Sequence, residues 1–225
     1  MDYHFLSKTV LFRGISAAEI QEMLSCLRAD RKTYRRGETI LQAGNTVTAI
    51  GLVLSGSVSI ENDDAWGNRS ILDSVQPGQV FAETYACVPG EPLMISAVAA
   101  EPSEILFLDT GRIQSVCSNA CSFHNKLVRN LLAIASQKNL NLSRRIFHTS
   151  SKSIRGRLLS YLSYQALQHG SREFEIPFNR QQLADYLSVD RSALSNELSK
   201  MQRDGLLLTD RRHFSLLQID PEDNF

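Results

Sequence analysis

The chain has 225 residues, enough for two domains of ordinary size, and its 43% hydrophobic and 21% charged residues exclude a disordered or low-complexity polypeptide. Its 24 basic and 24 acidic residues balance, so no bulk field announces nucleic acid, a membrane surface or an acidic ligand, and any such partner must be met by a local arrangement. Apolar runs such as Leu206 to Leu208 fall far short of the roughly 20 residues that span a bilayer; with Met1-Asp2-Tyr3-His4 carrying no basic lead into an apolar stretch, we expect a cytoplasmic protein without membrane contact.

In chain order, Ser16 stands three positions before Glu19, ahead of Ile20, Met23, Leu24 and Leu27, which predicts a capped amphipathic helix. From Tyr34 to Leu108 short apolar runs (Ile50 to Leu54, Val58 and Ile60, Ile71 and Leu72, Val80 and Phe81, Ile105 to Leu108) are punctuated by Gly37, Gly44, Gly56, Gly67, Gly78 and Gly90. That texture predicts a jelly roll or small barrel. From Cys121 to about Phe147 neither Gly nor Pro interrupts the chain, enough for a helix of roughly 40 Å at 1.5 Å per residue. Its apolar residues form two overlapping stripes. Leu127, Leu131 and Ile134 make one; Val128, Leu132, Ala135, Leu142 and Ile146 make the other, with Asn139 at a coiled-coil position where a polar residue fixes register. Two stripes need two partners, the β domain and a second copy of the helix; one wide stripe on its own domain is the plainer alternative.

Thr149 to Ser153 read as a hinge. Beyond it the pattern gives a helix from Ile154 to Leu167 ending at Gly170, a short strand at Phe174 and Ile176 stopped by Pro177, two close-set helices, and a hairpin from Leu206 to Leu217. This is a winged-helix order. Asn179 caps the first of the close-set helices, whose buried face is Leu183, Ala184 and Leu187; Ser188-Val189 turns the chain; Asp190 caps the second, with Leu194, Leu198 and Met201 inward. Arg191, Ser192, Ser195, Asn196 and Ser199 are left outside, a polar and nearly uncharged face suited to base edges in a major groove.

These residues resemble the Crp/Fnr superfamily of bacterial transcription regulators. The likeness is closest in the helix-turn-helix and extends to the roll through Tyr34-Arg35-Arg36-Gly37-Glu38-Thr39-Ile40, the Gly44 turn, Val53-Leu54-Ser55-Gly56-Ser57-Val58 and Pro77-Gly78-Gln79-Val80-Phe81-Ala82-Glu83. The resemblance implies an α+β architecture with an N-terminal β jelly roll of cyclic-nucleotide-binding type (1–109), a long dimerisation helix (110–148) and a C-terminal winged helix-turn-helix (149–225). It implies a non-enzymatic, homodimeric regulator binding double-stranded DNA at an inverted-repeat operator, with RNA polymerase as a further contact. Arg191, Ser192 and Asn196 fall at the family's main base-reading positions. The cyclic-AMP receptors carry Glu and Arg where this chain has Ser192 and Asn196, so their half-sites do not transfer. Asn179, Arg180, Gln181, Lys200, Arg211 and Arg212 are placed for phosphates, with Ser195 beside the base-reading set.

The family's cyclic-nucleotide binders use a Gly-Glu pair and an Arg-Ser pair around the cyclic phosphate. Here Glu83 matches, Ala82 replaces the Gly, and Leu93-Met94 stand at the Arg-Ser positions, where they cannot neutralise a phosphate. This disfavours cyclic AMP. Phe81, Ala82, Glu83, Leu93 and Met94, faced by Lys138 and Asn139 from the long helix, suit a small organic effector with an apolar body and one polar end, or else a vestigial pocket filled by its own side chains. As an alternative, Cys87, Cys117 and Cys121 form a candidate metal, redox or haem site, with His124 nearby; buried inert cysteines are the commoner case. A jelly-roll metalloenzyme is disfavoured, because His4, His124, His148, His169 and His213 all lie outside the roll. A dimeric scaffold whose helix-turn-helix binds protein is a third reading, separable by the salt dependence of duplex binding.

Overall fold

The computed structural model describes residues 1–63, 69–114 and 122–217. The chain divides into two compact units, Met1–Gln137 and Lys138–Phe225, with the division falling inside the long helix. In the first unit, α1 (Tyr3–Lys8) is capped by Asp2, and α2 (Ala17–Cys26) carries the reciprocal Ser16–Glu19 capping box its sequence predicts. Six residues are too few for a periodic pattern to mark α1.

Strands β1 (Asp30–Tyr34), β2 (Thr39–Leu41), β3 (Ala49–Ser55), β4 (Val58–Asp63), β5 (Arg69–Val75), β6 (Val80–Phe81), β7 (Ser96–Ala99) and β8 (Ser103–Asp109) form two antiparallel sheets, ordered β1-β8-β3-β6 and β2-β7-β4-β5. The first sheet is covered on both faces, which is why Ile50 to Leu54 is a continuous apolar run. Ile50, Leu52, Val80, Leu106 and Leu108 pack with α1, α2 and Leu127 and Leu131 of the long helix. Their alternates Val53, Phe81 and Ile105 point into the roll with Val58, Val75 and Ala97 of the second sheet. The period-two pattern thus divides one strand's side chains between two cores. Asn130 fastens the long helix to the N-terminal segment, its amide donating to the carbonyls of Leu11 and Arg13 at 2.9 Å each.

Two glycines are required by close approach. The Phe81 ring lies across Gly51, where an added Cβ would stand 2.3 Å from the ring; Phe107 meets the same ring edge-on at 6.5 Å. Gly56 turns β3 into β4 at a φ of +77°, with the Pro102 carbonyl 2.4 Å from any Cβ. Ser103 seals this turn, its Oγ accepting from Ser57 N at 3.1 Å and lying 3.0 Å from the Ser57 carbonyl.

After α3 (Glu83–Ala86) and α4 (Thr110–Gln114), the long helix α5 spans Ser122–Thr149. The two expected stripes separate by exposure. Leu127 and Leu131 are buried, while Val128, Leu132, Leu142 and Ile146 are exposed, as is Asn139 between them.

The second unit continues with α6 (Ile154–His169), capped by Ser153 and ended by left-handed Gly170. It is followed by β9 (Glu173–Glu175), α7 (Arg180–Leu187), α8 (Arg191–Arg203), β10 (Leu207–Asp210) and β11 (His213–Leu216), the strands forming a sheet ordered β10-β11-β9. Leu158, Leu162, Leu183, Leu187, Leu194, Met201 and Phe214 make its core. His148, in the last turn of α5, is buried among the rings of Tyr161, Tyr164 and Tyr186, with Nδ1 3.2 Å from Ser160 Oγ.

Gly56→Ala forces a left-handed backbone on an L residue, at about 1–2 kcal/mol, and adds a backbone clash. Urea unfolding of the variant should show a loss of about 2 kcal/mol or more. Burial, with the Arg144 charge second, holds the His148 imidazole below its ordinary value of 6.5. The unfolded chain therefore takes this proton first as pH falls, so His148 withdraws stability from about pH 7 downward until its folded value is passed. His148→Phe should flatten the dependence of the melting temperature on pH in that window; an unchanged slope would remove His148 as its cause.

Candidate nucleic-acid interface

The helix-turn-helix is set by its caps. Asn179 accepts from Gln182 N at 2.9 Å while Gln182 Oε1 accepts from Asn179 N at 2.9 Å, and Asp190 accepts from Ala193 N at 2.9 Å. Between them Ser188 adopts the left-handed conformation at a φ of +54°, a geometry that favours glycine. Two arginines grip the carbonyls at the end of α7 and in this turn. Arg145 donates to Asp185 and Tyr186 at 3.1 and 3.2 Å, and Arg157 donates to Leu187 and Ser188 at 3.0 Å each. Cations at a helix C-terminus also meet its negative dipole end. Arg157 further donates to Ser151 at 2.8 Å in the predicted hinge. Arg155 ties α6 to α8, bonding Glu197 and Asp204 at 2.7 Å each, and these carboxylates raise its pKa further. None of these arginines is marked by sequence spacing.

The predicted reading face is outward. Arg191, Ser192, Asn196 and Lys200 are exposed and Ser195 is half-buried. Ser192 donates to Asp190, Ser195 to the Arg191 carbonyl at 2.9 Å and Ser199 to the Ser195 carbonyl at 3.0 Å. The side chains of Arg191 and Asn196 make no hydrogen bond or ion pair with the described residues, so both are available to a ligand. Lys200 reaches Glu197 at 3.8 Å.

Asn179, Arg180, Gln181, Arg191, Arg211 and Arg212 line one concavity of about 480 Å³, which joins the start of both helices to the tip of the β10–β11 hairpin. Arg180 is the structural member. It donates to Thr209 Oγ1 at 2.7 Å and lies 5.1 Å over the Phe214 ring; burial lowers its pKa, with Asp210 opposing. Gln181 bonds Asp185 at 2.9 Å. Arg191, Arg211 and Arg212 have no carboxylate partner among the described residues. Arg211 holds a φ of +51° at the hairpin tip, where Asn or Gly is the ordinary occupant. Arg211 and Arg212 thus bring two unpaired guanidinium groups suited to phosphate oxygens to this concavity, with the unpaired Arg191 beside them at the start of α8.

In the roll, the predicted effector residues are less gathered. Phe81 is buried on Gly51, Leu93 is buried, and Glu83 opens α3 in a buried position. Ala82, at the family's Gly position, takes a left-handed φ of +61°, so the backbone bend is kept without the glycine. Met94 is 74% exposed and does not close a wall beside Leu93. Lys138 and Asn139 belong to the second unit. Cys87 is the half-buried C-cap of α3, and Cys117 and Cys121 lie outside the described residues. His124 is buried beside Phe123. Among the described residues no three His, Cys, Asp or Glu converge on a metal geometry.

The cyclic nucleotide-binding domain family matches residues 31–120, and the Crp-like helix-turn-helix domain family matches residues 156–222. The chain belongs to the Crp/Fnr superfamily. It is 24% identical over 207 residues to the transcriptional regulatory protein btr of Bordetella pertussis, covering 92% of this chain and 84% of that one. It is 34% identical over 98 residues to the cyclic AMP receptor protein of Thermus thermophilus, covering 44% of each. The solved structure of OCPA-complexed CprK shares the fold, with a TM-score of 0.62 at 14% identity over 88% of this chain and 92% of that one. As a Crp-family transcription regulator, the protein carries an effector-binding domain and a DNA-binding domain, and its relatives are regulators, not enzymes.

Arg211→Gly should raise the melting temperature by relieving the hairpin tip, and reduce the slope of log affinity against log salt on duplex DNA by about 0.9 for each half-site. Arg191→Ala should weaken operator binding by about 1–3 kcal/mol for each half-site and random-sequence binding far less; equal losses on both would remove it from base reading.

Proposed function

We propose that this protein is a homodimeric, sequence-specific DNA-binding transcription regulator whose operator affinity is set by a small molecule sensed in the roll. The observation that carries the reading is the exposed α8 face beside a cluster of unpaired arginines. Arg191 takes a guanine bidentately and Asn196 an adenine, with Ser192 and Ser195 adjoining. Asn179, Arg180, Gln181, Lys200, Arg211 and Arg212 hold phosphates and fix register. With ten Lys or Arg and ten Asp or Glu from Ser150 onward, affinity comes from the arrangement of charge and from dimerisation rather than net charge.

The exposed stripe of Val128, Leu132, Leu142 and Ile146, with Asn139 in register, supplies the dimer seam. Residues 1–109 sense, 110–148 dimerise and 149–225 read DNA. Leu93 and Met94 offer no cation to a cyclic phosphate, which supports an effector other than cyclic AMP, with an apolar body seated near Phe81 and a polar end toward Glu83. To move the population fully the effector must prefer one state by about 5.5 kcal/mol. RNA polymerase is the expected further contact of the DNA-bound dimer.

Sedimentation of the purified chain together with binding-site selection from random duplexes tests this. A dimer that selects inverted repeats with half-sites about 34 Å apart is expected. A monomer selecting no symmetric sequence would overturn the proposal.

A further inference from the structure

A second concavity lies within the second unit, away from the reading face. Its volume is about 300 Å³, and it is walled by Tyr161, Tyr164, Tyr186 and Phe178, with Arg144 and Asn141 from α5 at its edge. The rings are mutually packed. Phe178 lies 5.0 Å from Tyr186 and 6.0 Å from Tyr161, and Tyr161 lies 5.4 Å from Tyr186. The chain therefore holds an aromatic box with one cationic edge.

Two groups in the box are unmatched. Tyr161 is 2% exposed and its buried hydroxyl has no hydrogen-bond partner, an arrangement that costs stability unless something else supplies an acceptor. Arg144 has no carboxylate partner among the described residues. Its guanidinium stacks 5.5 Å over Tyr164 and makes one long 3.4 Å contact to Asn141 Oδ1, which leaves its planar donor edge open. The neighbouring Arg145 is already engaged with the carbonyls of Asp185 and Tyr186. The lining thus offers a single free charge.

We propose that this concavity binds a planar aromatic carboxylate of one or two rings, the ring held against the tyrosines and Phe178 and the carboxylate taken by Arg144. Four aromatic walls select a flat apolar body, and one guanidinium selects one carboxylate in a bidentate pair. The volume fits a small ring system. By helical periodicity Asn141 and Arg144 lie off the stripe of Val128, Leu132, Asn139, Leu142 and Ile146, so the proposed seam does not use them. Tyr186 belongs to α7, so an occupant braces the first helix of the helix-turn-helix against the end of α5.

The test uses the full-length protein with benzoate, 4-hydroxybenzoate and indole-3-acetate as probes, read by calorimetry and by the shift in melting temperature. The neutral alcohol indole-3-ethanol and adenosine monophosphate serve as comparisons. At least one acid should bind and raise the melting temperature, with the alcohol weaker by about tenfold. Arg144→Gln should weaken the acid by about tenfold and leave the alcohol unchanged, and Arg144→Lys, which keeps the charge but loses the fork, should fall between. Tyr161→Phe, which removes the unpartnered hydroxyl and keeps the ring wall, should raise the melting temperature of the free protein and leave acid binding in place. No acid binding at millimolar concentration, binding indifferent to Arg144→Gln, equal binding of the alcohol, or tighter binding of adenosine monophosphate would each overturn the proposal. None of these readouts involves DNA or the roll, so the outcome is independent of the operator-binding reading.

Discussion

The geometry of the DNA-binding unit depends on guanidinium groups placed at the carbonyl end of α7. A tight turn between two helices exposes carbonyls that have no helical donor, and burying or fixing them without partners is unfavourable. Arg145 comes from the end of α5 and Arg157 from α6, and between them they donate to the four consecutive carbonyls from Asp185 to Ser188, of which Asp185 also accepts from Ser188 N at 3.2 Å. The same turn holds Ser188 in its left-handed conformation, and Arg157 links it to the segment before α6 by also bonding the Ser151 carbonyl.

Much of the fold was legible in the sequence because the signals were local. The Ser16, Asn179 and Asp190 caps are short-range chemistry between residues three apart, and each forms as its spacing predicts. The glycine spacing marked the roll because turns such as the one at Gly56 admit no Cβ. The two stripes of α5 are periodic and emerge as one buried and one exposed face. By contrast, α1 is too short to be periodic, and the arginine ties join positions up to 49 residues apart, as in Arg155 to Asp204. Asn130, which fastens α5 to carbonyls more than a hundred positions upstream, looks in sequence like any polar helix residue.

The candidate sites divide in the same way. The exposed face of α8 was legible because helical periodicity separates Leu194, Leu198 and Met201 from Arg191, Ser192 and Asn196. The effector residues were inferred from positions in a motif, and motif position does not tell which way a side chain turns: Leu93 packs inside while its neighbour Met94 faces solvent. Nor did composition reveal that Phe81 would lie over Gly51, a contact made across paired strands. The tyrosine box is invisible for the same reason, since Tyr161, Tyr164 and Tyr186 come from two helices and read separately as core or surface residues.

The serines of α8 have a consequence for DNA. Their hydroxyls already donate to Asp190 or back into their own helix, so a duplex that leaves these bonds in place meets them as acceptors. An exocyclic amine of adenine or cytosine can donate to such an oxygen, whereas the keto oxygens of guanine and thymine meet it as like against like. Under the proposed reading, discrimination at those steps works by repelling the wrong edge as much as by holding the right one, on a surface that carries almost no charge.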